Sequence, residues 1–146
     1  MALRRETTTE LMNESLRDAH TFPEFETQFR KRYTDNDLQE FIAQKIEEKG
    51  LSRAEIIRDA DIDRTYGYQI FRGIRKPARA KLIQLAFGLK LNAEEAAEMF
   101  RLAGCAPLYP KIQDEAAILF CLYKGYTYTD CMLFVDALHR RGGGHG

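Results

Sequence analysis

The sequence predicts an all-α protein, and three observations support this fold class. Apolar residues recur three and four positions apart along most of the chain. Capping residues precede these segments, and glycine or proline often follows them. No stretch alternates between apolar and polar residues as a half-buried strand does. We therefore expect helices throughout, arranged in an N-terminal extension, a central core and a C-terminal hairpin.

The N-terminal extension is predicted over residues 1–34. Its two sequences TTTE (residues 7–10) and TFPE (residues 21–24) have the hydroxyl and glutamate spacing of a capping box. Phenylalanines follow the second of them at helical spacing. Two short helices are the expected result, and the sequence YTDND then interrupts the pattern.

Five helices are predicted in the central core, over residues 35–104. The first covers about 37–49 and ends at Gly50, because glycine commonly follows the last turn of a helix. Capping residues and a proline mark the other four. Ser52 and Glu55 open the second helix, and Asp63 caps the third after a connection at 61–63. Pro77 precedes the fourth helix at about 79–89, and Asn92 with Glu95 caps the fifth.

A C-terminal helical hairpin is predicted over residues 105–141, with helices at about 113–124 and 128–141 that are separated by Gly125. Leu133, Phe134 and Leu138 form an apolar stripe on the second of these helices. The stripe is a candidate surface for a homodimer or a protein partner, although packing inside the monomer explains it equally well. The glycine-rich residues 142–146 are expected to form a disordered tail.

Charge is distributed unevenly along a chain whose formal net charge is zero. Residues 51–81 contain eight basic and four acidic side chains, and 64–81 contain six basic and no acidic ones. A basic segment in an otherwise neutral protein is typical of a site for a polyanion such as DNA. A solvated helix face is the alternative explanation.

Two short helices joined by three residues and followed by a basic loop have the layout of a helix-turn-helix. The segment LSRAEIIRDADIDRTYGYQIFRGIRKPARAKLIQLAFGLKLNAEE (residues 51–95) resembles the Xre/Cro-type helix-turn-helix of phage repressors and bacterial regulators. The resemblance covers about a third of the chain. It depends on these positions: Leu51 and Ser52, Ile62, Ile70, Gly73, Pro77, and the stripe Leu82, Leu85, Ala86 and Leu89.

The resemblance implies a lambda-repressor-like core that binds double-stranded DNA sequence-specifically as a bacterial or phage-type transcriptional regulator, with repression as the expected action. In such a module the second helix enters the major groove, and dimers bind palindromic sites. Arg64 would contact guanine, Thr65 a thymine methyl group and Gln69 adenine. Tyr66 is assigned to the core and Tyr68 to the DNA-facing surface. The residues expected to contact the DNA backbone are Arg53, Arg72, Arg75, Lys76 and Arg79.

The chain departs from the family pattern at three positions. Ile57 replaces a small alanine, Gly67 replaces an apolar residue of the recognition helix, and Asp61 replaces a glycine of the turn. Asp61 is tolerable because aspartate adopts the left-handed conformation more readily than most residues. Since Ile57 and Gly67 are expected where the two helices cross, we predict that Gly67 makes room for Ile57.

Other functions find less support in the sequence. Cys105, Cys121 and Cys131 lack the spacing of a zinc site, and we expect buried thiols at Cys121 and Cys131, no cofactor and no metal. The sequence has no motif of a known catalytic site, so we do not expect an enzyme. The longest apolar run, at 116–123, is too short to cross a membrane, which favours a cytoplasmic protein. The alternatives to a DNA-binding regulator are a protein–protein adaptor and an antitoxin-like protein on the same scaffold.

Overall fold

The computed structural model describes residues 12–20, 22 and 34–143, with the backbone alone for 34–36, 142 and 143. The chain divides into two compact units, Met1–Tyr33 and Thr34–Gly146. In the first unit residues 12–18 form a helix, α1. The capping box predicted at 7–10, and most of the one at 21–24, lie outside the described residues.

The second unit contains seven further helices, and the described residues include no strand, so the all-α prediction is confirmed for them. The bounds are α2 Thr34–Lys49, α3 Arg53–Ala60, α4 Arg64–Phe71, α5 Arg79–Gly88, α6 Ala93–Leu102, α7 Gln113–Lys124 and α8 Tyr128–Gly143. The last helix ends two residues later than the sequence predicted, inside the segment expected to be a disordered tail. Residues 144–146 lie outside the described part of the chain.

The predicted caps form the hydrogen bonds that start these helices. Ser52 Oγ accepts from the backbone N–H of Glu55 at 3.1 Å. At the start of α6 the capping box is complete, because Asn92 Oδ1 accepts from the N–H of Glu95 at 2.8 Å and Glu95 Oε1 accepts from the N–H of Asn92 at 3.0 Å. These bonds satisfy donors that have no partner within the helix.

One hydrophobic core joins α2 to α8. Helix α3 packs between α4 and α5, α2 packs against α4 and α6, and the hairpin α7–α8 adjoins α5 and α6. The largest side chains that are shielded completely or nearly so are Ile42, Ile56, Leu82, Leu85, Leu89, Met99 and Phe100. Because the core includes Cys121 and Cys131 of the hairpin, the C-terminal helices continue the same hydrophobic interior.

Glu95 connects α6 to α2 through charge. Its Oε2 lies 3.0 Å from Lys45 Nζ, and its Oε1 lies 3.2 Å from Lys49 Nζ. Burial raises the pKa of the Glu95 carboxyl, but the hydrogen bonds from Asn92, Lys45 and Lys49 outweigh it and leave the pKa below its ordinary value. The carboxylate therefore stabilises the fold while it is charged.

The apolar stripe predicted on the last helix is divided between core and solvent. Phe134 packs against the core with its ring centroid 5.5 Å from that of Phe120, and Leu138 is partly buried beside it. Leu133 is 60% exposed, and its neighbour Met132 is 47% exposed. Packing within the monomer therefore accounts for two of the three stripe residues.

Candidate nucleic-acid interface

Helix α4 presents one face to the core and the other to solvent. Asp63 caps it, since Asp63 Oδ2 accepts from the N–H of Tyr66 at 3.1 Å, as the sequence predicted. Ile70 and Phe71 are buried, and Ile62 of the preceding turn is buried with them. Arg64 and Thr65, in the first turn, are exposed. The helix therefore places its N-terminal polar residues in solvent.

Gly67 lies directly against Ile57 of α3, which confirms the predicted exchange of sizes at this crossing. A Cβ added to Gly67 would lie 2.7 Å from Ile57 Cγ1 and 2.9 Å from Ile57 Cδ1. Both distances are shorter than a van der Waals contact, so a side chain at residue 67 would displace the isoleucine. Glycine brings α4 close enough to α3 for Ile57 to pack on its backbone.

The turn between α3 and α4 is held by a residue of α5. Asp61 adopts the left-handed conformation, with φ 56° and ψ 45°, which aspartate tolerates more readily than most residues. Gln84 is buried, and its Nε2 donates to the carbonyl oxygens of Ala60 and Asp61, both at 3.0 Å. These carbonyls lie at the end of α3, where no intrahelical donor is available. Gln84 thereby ties the end of α3 and the following turn to α5.

Two rings of α4, those of the half-buried Tyr68 and the buried Phe71, link two exposed arginines at the N-terminal ends of α3 and α4. The rings of Tyr68 and Phe71 meet edge to face, with centroids 6.1 Å apart. The guanidinium of Arg64 lies 5.9 Å from the Tyr68 centroid, and that of Arg53 lies 5.8 Å from the Phe71 centroid. Such cation–π contacts orient a guanidinium while leaving its N–H donors available. We call Arg53, Phe71, Tyr68 and Arg64 the basic–aromatic ridge.

The two tyrosines of α4 are both partly buried and pack against the core. This agrees with the core position predicted for Tyr66. Tyr68, predicted on the DNA-facing surface, keeps part of its ring exposed, with Phe71 edge to face against it and the guanidinium of Arg64 5.9 Å from its centroid. Its role as a base-reading residue stays a prediction.

The basic residues after α4 are arranged around its C-terminal end. Arg72, Arg75 and Lys76 are exposed. Arg75 Nε donates to Gln69 Oε1 at 3.2 Å, so the side chain predicted to read adenine holds an arginine of the loop. Helix α2 supports the same region, where Gln39 Nε2 donates to the carbonyl oxygen of Phe71 at 3.3 Å.

Arg79 is placed differently from the other predicted phosphate contacts. Its Nη2 lies 2.8 Å from Glu115 Oε1 of α7, and its Nη1 donates to the carbonyl oxygen of Ala106. The guanidinium also lies 5.4 Å from the centroid of the Phe100 ring. These contacts tie the start of α5 to the loop before α7. Arg79 therefore serves the internal structure, which basic composition alone could not reveal.

Sequence reasoning missed Gln84 and Gly88, which position the interface from α5. A Cβ on Gly88 would lie 2.6 Å from the carbonyl oxygen of Ile56 and 2.8 Å from Ala60 Cβ. Helices α3 and α5 thus approach at a glycine, as α3 and α4 do at Gly67. The available signal was a glutamine and a glycine among the apolar residues in the second half of the helical segment RAKLIQLAFG.

The described residues also bear on metal binding, membrane insertion and thiol chemistry. No group of His, Cys, Asp and Glu in this part of the chain could hold a metal ion, and no helix there is long and apolar enough to cross a membrane. Burial and the hydrogen bond to Cys121 raise the pKa of the Cys131 thiol to about 12. No protein-family model, curated protein or solved structure matches the chain.

Proposed function

We propose that this protein binds double-stranded DNA sequence-specifically through a helix-turn-helix formed by α3 and α4, and that it acts as a transcriptional repressor of the bacterial or phage type. The core, α2 to α6, would then be lambda-repressor-like, with α4 in the major groove. The basic–aromatic ridge is the observation that carries this proposal. It places two oriented guanidinium groups at the N-terminal ends of both helices, the ends that approach DNA in this kind of module.

The contacts within the ridge divide the proposed DNA-facing residues by role. Arg64 reads a base, because its exposed guanidinium can make a bidentate contact with guanine. Thr65 lies beside it and contacts a thymine methyl group. Tyr68 positions Arg64 by forming the ring against which the guanidinium rests.

The basic residues around the ends of α3 and α4 contact phosphates in this proposal. Arg53 serves at the start of α3, where Phe71 orients it. Arg72, Arg75 and Lys76 serve after α4, and Gln69 holds Arg75 in place through its hydrogen bond. Arg79 is left out because Glu115 neutralises it. Phosphate contacts of this kind fix register and orientation on the duplex without specifying sequence.

Selection of bound fragments from random duplex DNA tests base reading directly. The natural chain should enrich a motif, and Arg64→Ala should relax one position of that motif at a loss of about 1–3 kcal/mol. Arg140→Ala is the matched control, because Arg140 is an exposed arginine of α8 paired with Asp136 at 2.6 Å. If the Arg64→Ala variant enriches the same motif as the natural chain, Arg64 does not read a base.

Salt dependence separates the phosphate contacts from base reading. The logarithm of the binding constant should fall linearly with the logarithm of salt concentration, by about 0.9 per phosphate neutralised. Arg53→Ala and Arg72→Ala should each reduce the slope by roughly one and weaken binding to all sequences equally. Fluorescence anisotropy on one labelled duplex at several salt concentrations measures both quantities.

A protein–protein adaptor or antitoxin-like protein is the alternative that these experiments decide. At about 50–100 mM salt even non-specific DNA binding is normally observed. A chain with no saturable DNA binding under those conditions would instead present the ridge to a protein partner. A palindromic motif would require two copies, and the exposed Met132 and Leu133 of α8 are then the proposed dimer contact.

A further inference from the structure

A cleft separates the turn of the C-terminal hairpin from the ends of α3 and α5. Its volume is about 600 Å³, within the range of roughly 300–1,000 Å³ that small-molecule sites occupy. The hairpin contributes residues 122–129, and the other wall comes from the last turns of α3 and α5 and the loop before α6. No residue of the basic–aromatic ridge lines it. The cleft is therefore separate from the proposed DNA-binding surface.

The charged residues that line the cleft are mostly cationic. Arg58, Lys90 and Lys124 carry three positive charges, and Asp59 is the single carboxylate among the lining residues. Asp59 lies 3.2 Å from Arg58 Nε, so one cation is already paired. Lys90 and Lys124 then leave the cleft with an excess positive charge. An anion is the ligand that this distribution favours.

Aromatic rings form much of the remaining surface. Phe87 is buried, and its ring centroid lies 5.9 Å from that of the half-buried Tyr128. Tyr126, on the turn, is 42% exposed. The exposed parts of Tyr126 and Tyr128 can accept a further ring by offset stacking or edge contact. A flat apolar group next to a charge therefore matches the lining better than an aliphatic chain or a bare ion.

We propose that this cleft binds a small organic anion that carries an aromatic ring. The ring packs against the exposed parts of Tyr126 and Tyr128, beside the buried Phe87, and the acidic group is attracted by Lys90 and Lys124. Such a ligand connects the hairpin turn to the end of α3, because Arg58 and Asp59 of the last turn of α3 also line the cleft. The inference goes beyond DNA binding and holds whether or not the ridge contacts DNA.

A titration with naphthalene-1-carboxylate, followed by the amide resonances of the ¹⁵N-labelled full chain, tests the proposal. We expect saturable shifts confined to the amides of residues 86–91 and 122–129, with a Kd of about 1 mM or lower. Naphthalene-1-carboxamide has nearly the same shape without the charge, and it should bind at least about threefold more weakly.

Two charge-removing variants and one control complete the experiment. Lys90→Gln and Lys124→Gln should each weaken binding of the carboxylate by about threefold and leave binding of the carboxamide unchanged. Lys111→Gln removes a lysine that lies outside the cleft and should change neither affinity. Equal affinities for carboxylate and carboxamide, or shifts that spread over the whole chain without saturation, would overturn the proposal. DNA is absent from every arm, so the result is independent of the proposed function.

Discussion

Helix α3 packs against a glycine of the neighbouring helix on two faces, but the atoms of α3 that lie next to the glycine differ. Toward α4, a Cβ added to Gly67 would meet the side chain of Ile57. Toward α5, a Cβ added to Gly88 would meet the carbonyl oxygen of Ile56 and the Cβ of Ala60. Gln84 adds two hydrogen bonds on the α5 face alone. One crossing thus packs a side chain on a glycine, and the other packs backbone on a glycine.

This difference decides how each crossing responds to substitution. A side chain can be replaced by a smaller one, so the space at Gly67 can be restored by a second change at residue 57. The backbone of α3 cannot be made smaller, so the space at Gly88 has no equivalent correction. The α5 face should therefore tolerate less change than the α4 face, although α4 carries the proposed recognition surface.

Gly88→Ala should have the largest effect. The added methyl group meets a carbonyl oxygen and a Cβ, so α3 and α5 must separate, and we expect a loss of about 2–3 kcal/mol in the free energy of unfolding. The gain of roughly 1 kcal/mol in helix propensity offsets only part of the strain. Urea denaturation measures the change. Adding Ala60→Gly to this variant should recover little of the lost stability, because the contact with the carbonyl of Ile56 remains. A Gly88→Ala variant more stable than the natural chain would contradict the close approach of α3 and α5.

Gln84→Leu should have the second largest effect, a loss of about 2 kcal/mol in the free energy of unfolding. The substitution keeps an apolar volume in the core but removes the donor to the carbonyls of Ala60 and Asp61, which then lie partly buried without that partner. Amide hydrogen exchange should show faster opening at residues 61–67 than in α7. Protection that is unchanged at the turn would mean that Gln84 only fills space.

Gly67→Ala should lower the free energy of unfolding by about 1–2 kcal/mol. The loss is smaller than for Gly88→Ala because the side chain of Ile57 can shift more readily than a backbone. The double variant Ile57→Ala with Gly67→Ala gives the sharper measurement. Ile57→Ala alone leaves a cavity, and the methyl group at residue 67 fills part of it, so the double variant should lose about 1 kcal/mol less than the sum of the two single losses. Strict additivity would show that these residues do not share one crossing.

Glu95→Gln should have the smallest effect, about 1 kcal/mol at neutral pH, and it bears on neither face of α3. The pKa of Glu95 is lowered in the folded chain from its ordinary value of 4.5. Its contribution is therefore present above that value and is lost as pH falls through the folded pKa. The difference between Glu95→Gln and the natural chain should disappear in acid, whereas the loss caused by Gly88→Ala should persist. Thermal unfolding at a series of pH values distinguishes the two.

Much of the proposed interface could be predicted from local sequence. The caps at Ser52, Asp63 and Asn92 depend on hydrogen bonds within three residues, and such bonds can be inferred from spacing alone. The pairing of Ile57 with Gly67 was predicted because a large and a small residue had exchanged positions relative to the resembled family. The exposed Arg64 and Thr65 followed from the position of Asp63.

The remaining features of the interface depend on residues distant in sequence. Arg79 belongs to the same basic segment as Arg75, yet Glu115, 36 residues away, determines what its guanidinium does. Gln84 of α5 donates to the carbonyl oxygens of Ala60 and Asp61, which lie 24 and 23 residues earlier. Neither outcome is visible in charge or periodicity, because both depend on which helices meet.

The sequence by itself determined that the described chain is helical, where most of its helices begin, and that positive charge concentrates in residues 51–81. These properties arise from local hydrogen bonding, side-chain periodicity and composition. Only the tertiary structure decided which cations remain exposed, that Gln84 and Gly88 hold α3 against α5, and that a cationic cleft lies beside the hairpin turn. Each of these requires groups brought together by packing, and packing is set by the whole core at once.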